Sequence, residues 1–288
     1  MKPKLLKVSL QPRQSFSVRH DVVPYFYKEL HFHPEMELVY IQKGSGTQFI
    51  GNHIQSFKAG DMILVGQDIP HLWKCDEQYC KGNPKLKAEA TVIHFLPCAL
   101  GDQFFDLPEN QNLQKLFVKA KQGISIHRKT KNQIAVLLQK LLESTGTQKI
   151  ILFLEILHLL SESNDLQLIN KKKMPLLPAD KDPDRMNDVV QHILAHFNED
   201  ISLKEIASIA NLTPNSFCRY FKIRANKTYS TFLTEVRINH ACKQLSETEK
   251  PVSEICYESG FNNFSNFNRY FKQIVGFTPN QYRKKYLE

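Results

Sequence analysis

The sequence has no long hydrophobic run and few cysteines. Its longest apolar stretch, Ile150–Leu160, is interrupted by two polar residues, whereas a membrane-spanning helix needs about 20 apolar residues. Six cysteines in 288 residues are too few for a disulfide scaffold, and Cys75-x4-Cys80 has no matching second pair, so we expect reduced thiols. No apolar segment follows Met1-Lys2-Pro3-Lys4, so we expect no secretory signal, and a cytoplasmic protein without membrane contact.

Motifs of common enzyme classes are also absent from the sequence. It contains no P-loop, no glycine-rich nucleotide motif and no Ser/His/Asp grouping. The composition, with 42% hydrophobic and 23% charged residues, is that of a globular protein, and the length suggests two domains. The net charge of +9 permits an anionic partner. Residues 184–288 carry only 14 Lys and Arg against 11 Asp and Glu, so charge alone does not locate that partner.

The first 108 residues read as a β domain. Short segments rich in β-branched and aromatic residues alternate with turns such as Gly44-Ser45-Gly46 and Ala59-Gly60-Asp61. Many short strands at close spacing favour a β-sandwich or barrel. The predicted strands are Phe16–Val22, Tyr25–His31, Glu37–Gln42, Thr47–Ile50, Met62–Val65 and Thr91–Phe95.

Residues 109–170 change to the three- and four-residue spacing of amphipathic helices. Apolar stripes lie at residues 113–120, 134–142 and 150–160. The last two stripes carry more leucine and isoleucine than two surface helices need. Either they are buried within the domain, or they form a two-fold dimer interface to which Leu138 and Leu157 contribute exposed side chains. We expect the dimer, and treat 109–170 as a helical dimerisation segment.

Residues 171–183 hold three prolines and alternating charges, which predicts a linker. After it, residues 184–288 read as helices only. Ser202 and Glu205 form a capping box, and Thr213-Pro214 is a second helix start. Asn211 and Gly260 stand in turns where a left-handed residue is easily placed.

An internal repeat is the sharpest signal in the chain. Phe217-Cys218-Arg219-Tyr220-Phe221-Lys222 recurs 50 residues later as Phe267-Asn268-Arg269-Tyr270-Phe271-Lys272. The repeat predicts two units of short helix, turn and second helix, joined by a long helix over Tyr229–Leu245. In a helix-turn-helix unit the second helix enters the DNA major groove. We expect Phe217, Tyr220, Phe221, Phe267 and Phe271 to face the core. We expect a DNA-facing set of Asn215, Ser216, Arg219, Lys222, Phe264, Ser265, Asn268, Arg269 and Lys272.

With these motifs, residues 184–288 resemble the DNA-binding domain of the AraC/XylS family of bacterial transcription regulators. The most specific part is Ile255-Cys256-Tyr257-Glu258-Ser259-Gly260-Phe261, followed by the second copy of the repeat and Gly276-Phe277-Thr278-Pro279. The resemblance implies two helix-turn-helix units on one face of double-stranded DNA. It also implies base contacts from Asn215, Cys218, Arg219, Phe264, Ser265 and Arg269.

The N-terminal half carries a histidine motif. His31, His33, Glu37 and Gly44 have the spacing HxH-x3-E-x6-G, and Pro70-His71 follows later. This resembles the two motifs of the cupin superfamily, a small β-barrel in which such residues converge. Gly66 and Asp68 depart from the second motif, but His31, His33, Glu37 and His71 all fall on the ligand positions. Trp73 either lines a pocket or fills the barrel, and we read His94 as an ordinary histidine at the core edge.

Three readings of this set stay open: a metal site, a metal-free ligand pocket, and a purely structural role in polar packing at the barrel mouth. Three imidazoles and a carboxylate suit Zn, Fe, Mn or Ni, and His31 and His33 project to one face if they lie on a strand. The HxH segment also occurs in AraC-like sensor domains that bind organic ligands without metal, and the resemblance favours this metal-free pocket.

The sequence therefore predicts a transcription regulator and not an enzyme. We expect a cupin-like sensor whose small-molecule effector is a sugar or related metabolite, a homodimer, an activator role and contact with RNA polymerase. The alternatives are a metal-dependent cupin enzyme with an auxiliary helical half, and an architectural or RNA-binding protein.

Overall fold

The computed structural model describes residues 4–5, 14–26, 29–81, 83, 85–101, 103–170 and 185–287. Residue contacts divide it into two units, one formed mainly by residues 5–174 and the other mainly by residues 175–288. The first unit holds antiparallel sheets and the second is helical, which confirms the predicted α+β class. The predicted linker, residues 171–183, lies outside the described residues. Among the described helices, none combines the length and apolar character needed to cross a membrane.

The strands of the structure form two sheets. They are β1 Lys4–Leu5, β2 Phe16–Val23, β3 His31–Phe32, β4 Met36–Lys43, β5 Gly46–Ile50, β6 His53–Phe57, β7 Met62–Val65, β8 His71–Cys75, β9 Ala88–Phe95, β10 Ile124–Ile126 and β11 Leu166–Leu168. The smaller sheet has the order β1-β3-β8-β5-β6, and the larger has the order β11-β10-β7-β4-β9-β2.

Five of the six predicted strands are present, but the strand predicted at Tyr25–His31 is wrong. Of the described residues in that segment, only His31 is in a strand. Pro24 has no amide hydrogen for a strand partner, and the amide of Phe26 donates to Sγ of Cys75 at 3.4 Å. Of the described residues here, 24, 25 and 29 are bends.

The larger sheet is buried on both faces. Because successive side chains of a strand point to opposite faces, Leu38 and Ile93 pack on one side, whereas Val39 and Val92 pack on the other. The first side is covered by helices. The second, which we call the inner face, shares a core with Phe57 and Trp73 of the smaller sheet. The inner face therefore looks into the space between the two sheets.

Among the described residues, the α-helices of this N-terminal unit are α1 Glu77–Cys80, α2 Gln111–Ala120, α3 Arg128–Glu143 and α4 Gly146–Ser161. Residues 124–126 and 166–168, which flank α3 and α4, are strands of the larger sheet. Leu138 and Leu157 are each 1% exposed and lie in the core that covers this sheet. The expectation that these two leucines are exposed interface residues is therefore wrong, because the apolar sides of α3 and α4 pack against the sheet.

The C-terminal unit is a bundle of short helices around one long helix. Its helices are α5 Arg185–His196, α6 Leu203–Ile209, α7 Pro214–Ala225, α8 Tyr229–Glu247, α9 Val252–Glu258, α10 Phe264–Val275 and α11 Pro279–Leu287. Oγ of Ser202 accepts from the amide of Glu205, and Oγ1 of Thr213 accepts from the amide of Ser216. Asn211 and Gly260 adopt left-handed φ angles of 50° and 82° in the two equivalent turns. The predicted helix starts, turns and long helix are confirmed. Of the predicted capping box only the bond to Ser202 is present, because Oε1 of Glu205 lies 3.0 Å from Nε2 of His192 instead.

Candidate functional site

The two sheets bring the four predicted ligand residues together. His31 and His71 are direct partners in the antiparallel pair β3 and β8, and Glu37 lies near the start of β4 in the larger sheet. His33 lies between β3 and β4. All four residues are buried. One ligand atom from each lies within 4.8 Å of the other three, so we call His31, His33, Glu37 and His71 the four-donor cluster.

Backbone carbonyls fix the tautomers of the three histidines. Nδ1 lies 2.9 Å from the carbonyl oxygen of Glu29 in His31 and 3.0 Å from that of Glu35 in His33. In His71 it lies 2.7 Å from that of Ile69. Because a carbonyl oxygen only accepts, each Nδ1 carries the hydrogen, and the unprotonated nitrogen of each neutral ring is Nε2. Ligand histidines commonly donate their second ring nitrogen to a carbonyl in this way.

Glu37 supplies negative charge to the cluster. Its Oε2 lies 3.1 Å from Nε2 of His33 and 2.8 Å from Nε2 of His71. Burial acts to raise the pKa of Glu37, but the neighbouring His94 and His71 outweigh it and bring the pKa well below its ordinary value. The carboxylate is therefore ionised. Burial, together with the charge of His71, lowers the pKa of His31 to about 3, so this ring is neutral at pH 7.

The donor set fits a divalent transition metal. A neutral ring with its hydrogen on Nδ1 turns a lone pair towards Oε2, and two such contacts are repulsive unless a proton or a metal ion supplies positive charge. Nε2 of His71, although close to Glu37, is buried and has no hydrogen bond of acceptable geometry. Three imidazole nitrogens and a carboxylate are the ligands that Zn, Fe, Mn or Ni take.

His94 is a fifth member of this site, so the prediction of an ordinary core-edge histidine is wrong. It is 1% exposed, and its Nε2 lies 3.5 Å from Oε1 of Glu37. Its Nδ1 lies 3.0 Å from Nη1 of Arg19. The motif spacing could not reveal it because β9 lies far from the motifs in sequence. The available signal was one imidazole in the otherwise apolar run Val92–Phe95.

A small cavity adjoins the cluster. Its volume is about 90 Å³, and its lining includes His31, Glu37, Trp73, His94 and Arg19. Trp73 is buried and donates from Nε1 to Oε1 of Gln48 at 2.9 Å, and its ring packs edge-on against His71. Pockets for drug-sized ligands enclose about 300–1,000 Å³. This cavity has room for an ion and a few waters, at about 30 Å³ for each water.

The predicted DNA-facing residues lie on exposed sides of α7 and α10. Phe217, Phe221, Phe267 and Phe271 are fully buried, which confirms them as core. Tyr220 is half-buried, and the guanidinium carbons of Arg185 and Arg224 each lie 5.6 Å from its ring centroid, so its placement in the core is wrong. Most of the predicted set is exposed, whereas two members, Ser216 and Asn268, are half-buried.

The two helices present the same arrangement. Asn215, Arg219 and Lys222 share one side of α7, since residues three, four and seven apart lie on one helix face. Ser265, Arg269 and Lys272 repeat this spacing on α10. The exposed side of α7, which includes Cys218, borders a groove of about 690 Å³. Arg269 stacks over Tyr270, with its guanidinium carbon 4.4 Å from the ring centroid.

Two of the predicted DNA-facing side chains are held by hydrogen bonds within their own unit. The side-chain amide of Asn268 donates from Nδ2 to the backbone carbonyl oxygen of Phe264 in its own helix, at 3.0 Å. Ser216 accepts a hydrogen bond from the hydroxyl of Thr213 at the helix start. Arg219 and Lys222, by contrast, are exposed along with Cys218. The arginine and lysine positions are therefore the parts of the face best placed to reach a ligand.

Two segments of the chain match known protein families. Residues 206–285 match the family described as "Helix-turn-helix domain", and residues 17–80 match "AraC-like ligand binding domain". An uncharacterized HTH-type transcriptional regulator of Bacillus subtilis is 36% identical over 100 residues, which is 35% of this chain and 34% of that protein. An uncharacterized HTH-type transcriptional regulator of Staphylococcus aureus is 33% identical over 100 residues, which is 13% of the length of that protein.

The chain thus spans about a third or less of the length of these curated relatives. One similar solved structure is the C-terminal domain of AraT, a response regulator from Geobacillus stearothermophilus, which is 30% identical. The match covers 37% of this chain and 88% of that chain, with a TM-score of 0.34. The two family matches thus assign a helix-turn-helix domain to residues 206–285 and an AraC-like ligand-binding domain to residues 17–80.

Proposed function

We propose that this protein is a sequence-specific DNA-binding transcription regulator whose N-terminal unit binds a small effector. One observation carries the DNA part: two second helices, α7 and α10, present the same exposed arrangement of an arginine followed three residues later by a lysine. A single exposed arginine is usually only solvated. Two of them at equivalent positions of duplicated units match the two recognition helices that successive turns of a major groove require.

The exposed side chains divide into two roles. Arg219 and Arg269 read bases, since an arginine bonds O6 and N7 of guanine with two donors. Asn215 suits adenine, and Phe264 suits the methyl group of thymine. Lys222 and Lys272 lie one turn further along each helix and contact phosphates, which position the protein without reading sequence. Cys218, Ser216, Ser265 and Asn268 complete the interface.

In the N-terminal unit, the four-donor cluster holds a divalent metal and Trp73 lies beside it. Bound there, the metal supplies positive charge beside Glu37 and coordination positions for a small ligand. The cavity volume of about 90 Å³ favours an ion with a small ligand over a sugar-sized effector. The same volume disfavours the alternative of a metal-dependent enzyme acting on an organic substrate.

The proposal includes a homodimer in the cytoplasm, with RNA polymerase as the partner at the promoter. Leu138 and Leu157 are buried in the core, so a dimer must use other residues. Exposed apolar side chains of the same two helices are Val136, 54% exposed, and Ile151, 52% exposed. An effector acts on DNA binding only if it has different affinities for two arrangements of the chain.

Selection of bound sequences from random duplex DNA, with the full chain, tests the proposal. We expect a defined sequence motif and a specificity ratio of about 10³ or more over random DNA. A ratio close to one would indicate an architectural protein instead. Repeating the selection with Zn²⁺, Mn²⁺ or a chelator tests whether the N-terminal unit controls binding.

A further inference from the structure

We propose that His94 and Arg19 are positioning residues that orient the carboxylate of Glu37, and that His94 is not itself a metal ligand. This inference rests on the proposed metal at the four-donor cluster and extends the site by two residues that its motifs do not contain.

Strand register places His94 against Glu37. The two residues are direct partners in the antiparallel pair of β4 and β9. The side chain of Glu37 therefore contacts both His94 and the histidines of the four-donor cluster. Its Oε2 is the oxygen close to His33 and His71, whereas its Oε1 is the oxygen close to His94, at 3.5 Å from Nε2. One carboxylate oxygen thus faces the donor cluster and the other faces His94.

Arg19 fixes which nitrogen of His94 carries the hydrogen. A guanidinium group only donates hydrogen bonds, so Nδ1 of His94, 3.0 Å from Nη1 of Arg19, accepts. In the neutral ring the hydrogen is then on Nε2, and it points towards Oε1 of Glu37. This tautomer is the opposite of that in His31, His33 and His71, whose Nδ1 atoms face carbonyl oxygens. A ring with hydrogen on Nε2 has no lone pair to offer a metal on the side of Glu37.

Asp21 in turn holds Arg19. Its Oδ2 lies 2.7 Å from Nε of Arg19, so the guanidinium group is fixed at one edge and donates to His94 from the other. Both residues lie on β2, the strand at the edge of the larger sheet. The resulting chain of contacts runs from Asp21 through Arg19 and His94 to Glu37. Such outer residues typically change metal affinity by about 10–100-fold when they are replaced.

Metal titration of the full chain tests this assignment. His94→Leu removes the donor, His94→Gln keeps an N–H at similar reach, and His31→Gln removes a ligand. The readouts are Zn²⁺ affinity by calorimetry and the visible absorption of bound Co²⁺, which reports the ligand set. For His94→Leu we expect one Co²⁺ per chain with an unchanged band position and an affinity reduced by about 10–100-fold. His94→Gln should restore most of that loss, and His31→Gln should shift the band.

Arg19→Met provides a second measurement if His94→Leu does not fold. It removes the donor to Nδ1 from the exposed edge strand and should lower affinity without moving the Co²⁺ band. The inference is overturned if His94→Leu or Arg19→Met moves the band as His31→Gln does, or if neither replacement changes affinity. A wild-type chain that binds no metal would overturn both the metal site and the role of His94. It would leave the DNA-binding function, which the DNA selection tests separately, unaffected.

Discussion

His31 and His71 lie directly opposite each other on antiparallel strands β3 and β8, with their ring centroids 4.3 Å apart. Each ring has Nδ1 bound to a backbone carbonyl, so Nε2 is the nitrogen that each ring would offer to an ion. Their pairing makes sense when both Nε2 atoms serve the same ion. The stability of the N-terminal unit should therefore depend on metal.

We expect Zn²⁺ to raise the melting temperature of the full chain and a chelator to lower it. A ligand at one hundred times its dissociation constant adds about 2.7 kcal/mol to the folded state. His31→Gln and His71→Gln should abolish most of the shift, because each removes a donor from the cluster. His158→Gln, an exposed histidine on α4, is the matched control and should keep the full shift. Calorimetric scans with and without metal measure this, and equal shifts in all four proteins would contradict the site.

Four of the five residues of this site, His31, His33, Glu37 and His71, could be predicted because their spacing carries the information. The HxH spacing predicted that His31 and His33 lie close together because residues i and i+2 of a strand project to one face. In the structure the two rings are close, although His33 lies just after the end of β3. His94 and Arg19 reach Glu37 only through the register of β2, β9 and β4. Register between strands distant in sequence is set by tertiary packing, which local patterns do not record.

For α3 and α4, the sequence predicted the helices but not the surface against which they pack. Periodicity located α3 and α4 correctly but could not say what their apolar sides pack against. A sheet, a second helix and a second protein chain all demand the same spacing. The structure places Leu138 and Leu157 against the larger sheet. In the C-terminal unit the repeat carried more information, because each copy confirmed which side of the other is core.

Replacement of the paired arginines should relax base preference locally. Arg219→Ala and Arg269→Ala should each weaken binding to the selected site by about 1–3 kcal/mol. Arg219→Lys is the sharper control, because it keeps the charge and loses the two-donor geometry. We expect it to retain binding to random DNA while losing preference at one base pair. Selection followed by sequencing measures this. An unchanged motif in both alanine variants would rule out base reading by these residues.

Lys222→Ala and Lys272→Ala should weaken binding to all sequences alike. A phosphate contact releases a counterion, so loss of one contact should lower the slope of log K against log salt by about one. Affinity titrations at several salt concentrations give the slope. A changed sequence motif with an unchanged slope would assign these lysines to bases instead.

A buried and an exposed apolar residue of α3, Leu138 and Val136, should respond differently to the same substitution. Leu138→Glu places a charge in the core, and we expect it to destabilise the N-terminal unit by several kcal/mol, on the order of an unpaired buried charge. Val136→Glu changes an exposed position on the same helix, so it should leave the melting temperature within a few degrees. If Val136 lies in a dimer interface, the variant sediments as a monomer while the wild type is a dimer. A folded, monomeric Leu138→Glu protein would show that this leucine is not core.

Two glycines of the C-terminal unit, Gly260 and Gly276, allow the cost of backbone strain to be distinguished from the cost of a steric clash. Gly260 and Gly276 have similar left-handed φ angles, 82° and 86°. A Cβ atom at Gly276 meets nothing within 4 Å, whereas one at Gly260 would lie 2.7 Å from Cα of Asn198 and from the carbonyl oxygen of Phe197. Gly276→Ala should therefore cost about 1–2 kcal/mol from strain alone, and Gly260→Ala about 2–5 kcal/mol from strain and overpacking together.

Asparagine separates the two causes, because it tolerates the left-handed conformation and yet carries a Cβ. The equivalent turn of the first unit uses Asn211 at a φ of 50°. Gly276→Asn should be nearly neutral in urea unfolding, whereas Gly260→Asn should remain destabilised because the close approach of residues 197 and 198 is unchanged. Specific DNA binding should fall with Gly260→Asn, since this turn sets the angle between α9 and α10. Equal stability of the two asparagine variants would mean that the chain around Gly260 yields to the added atom.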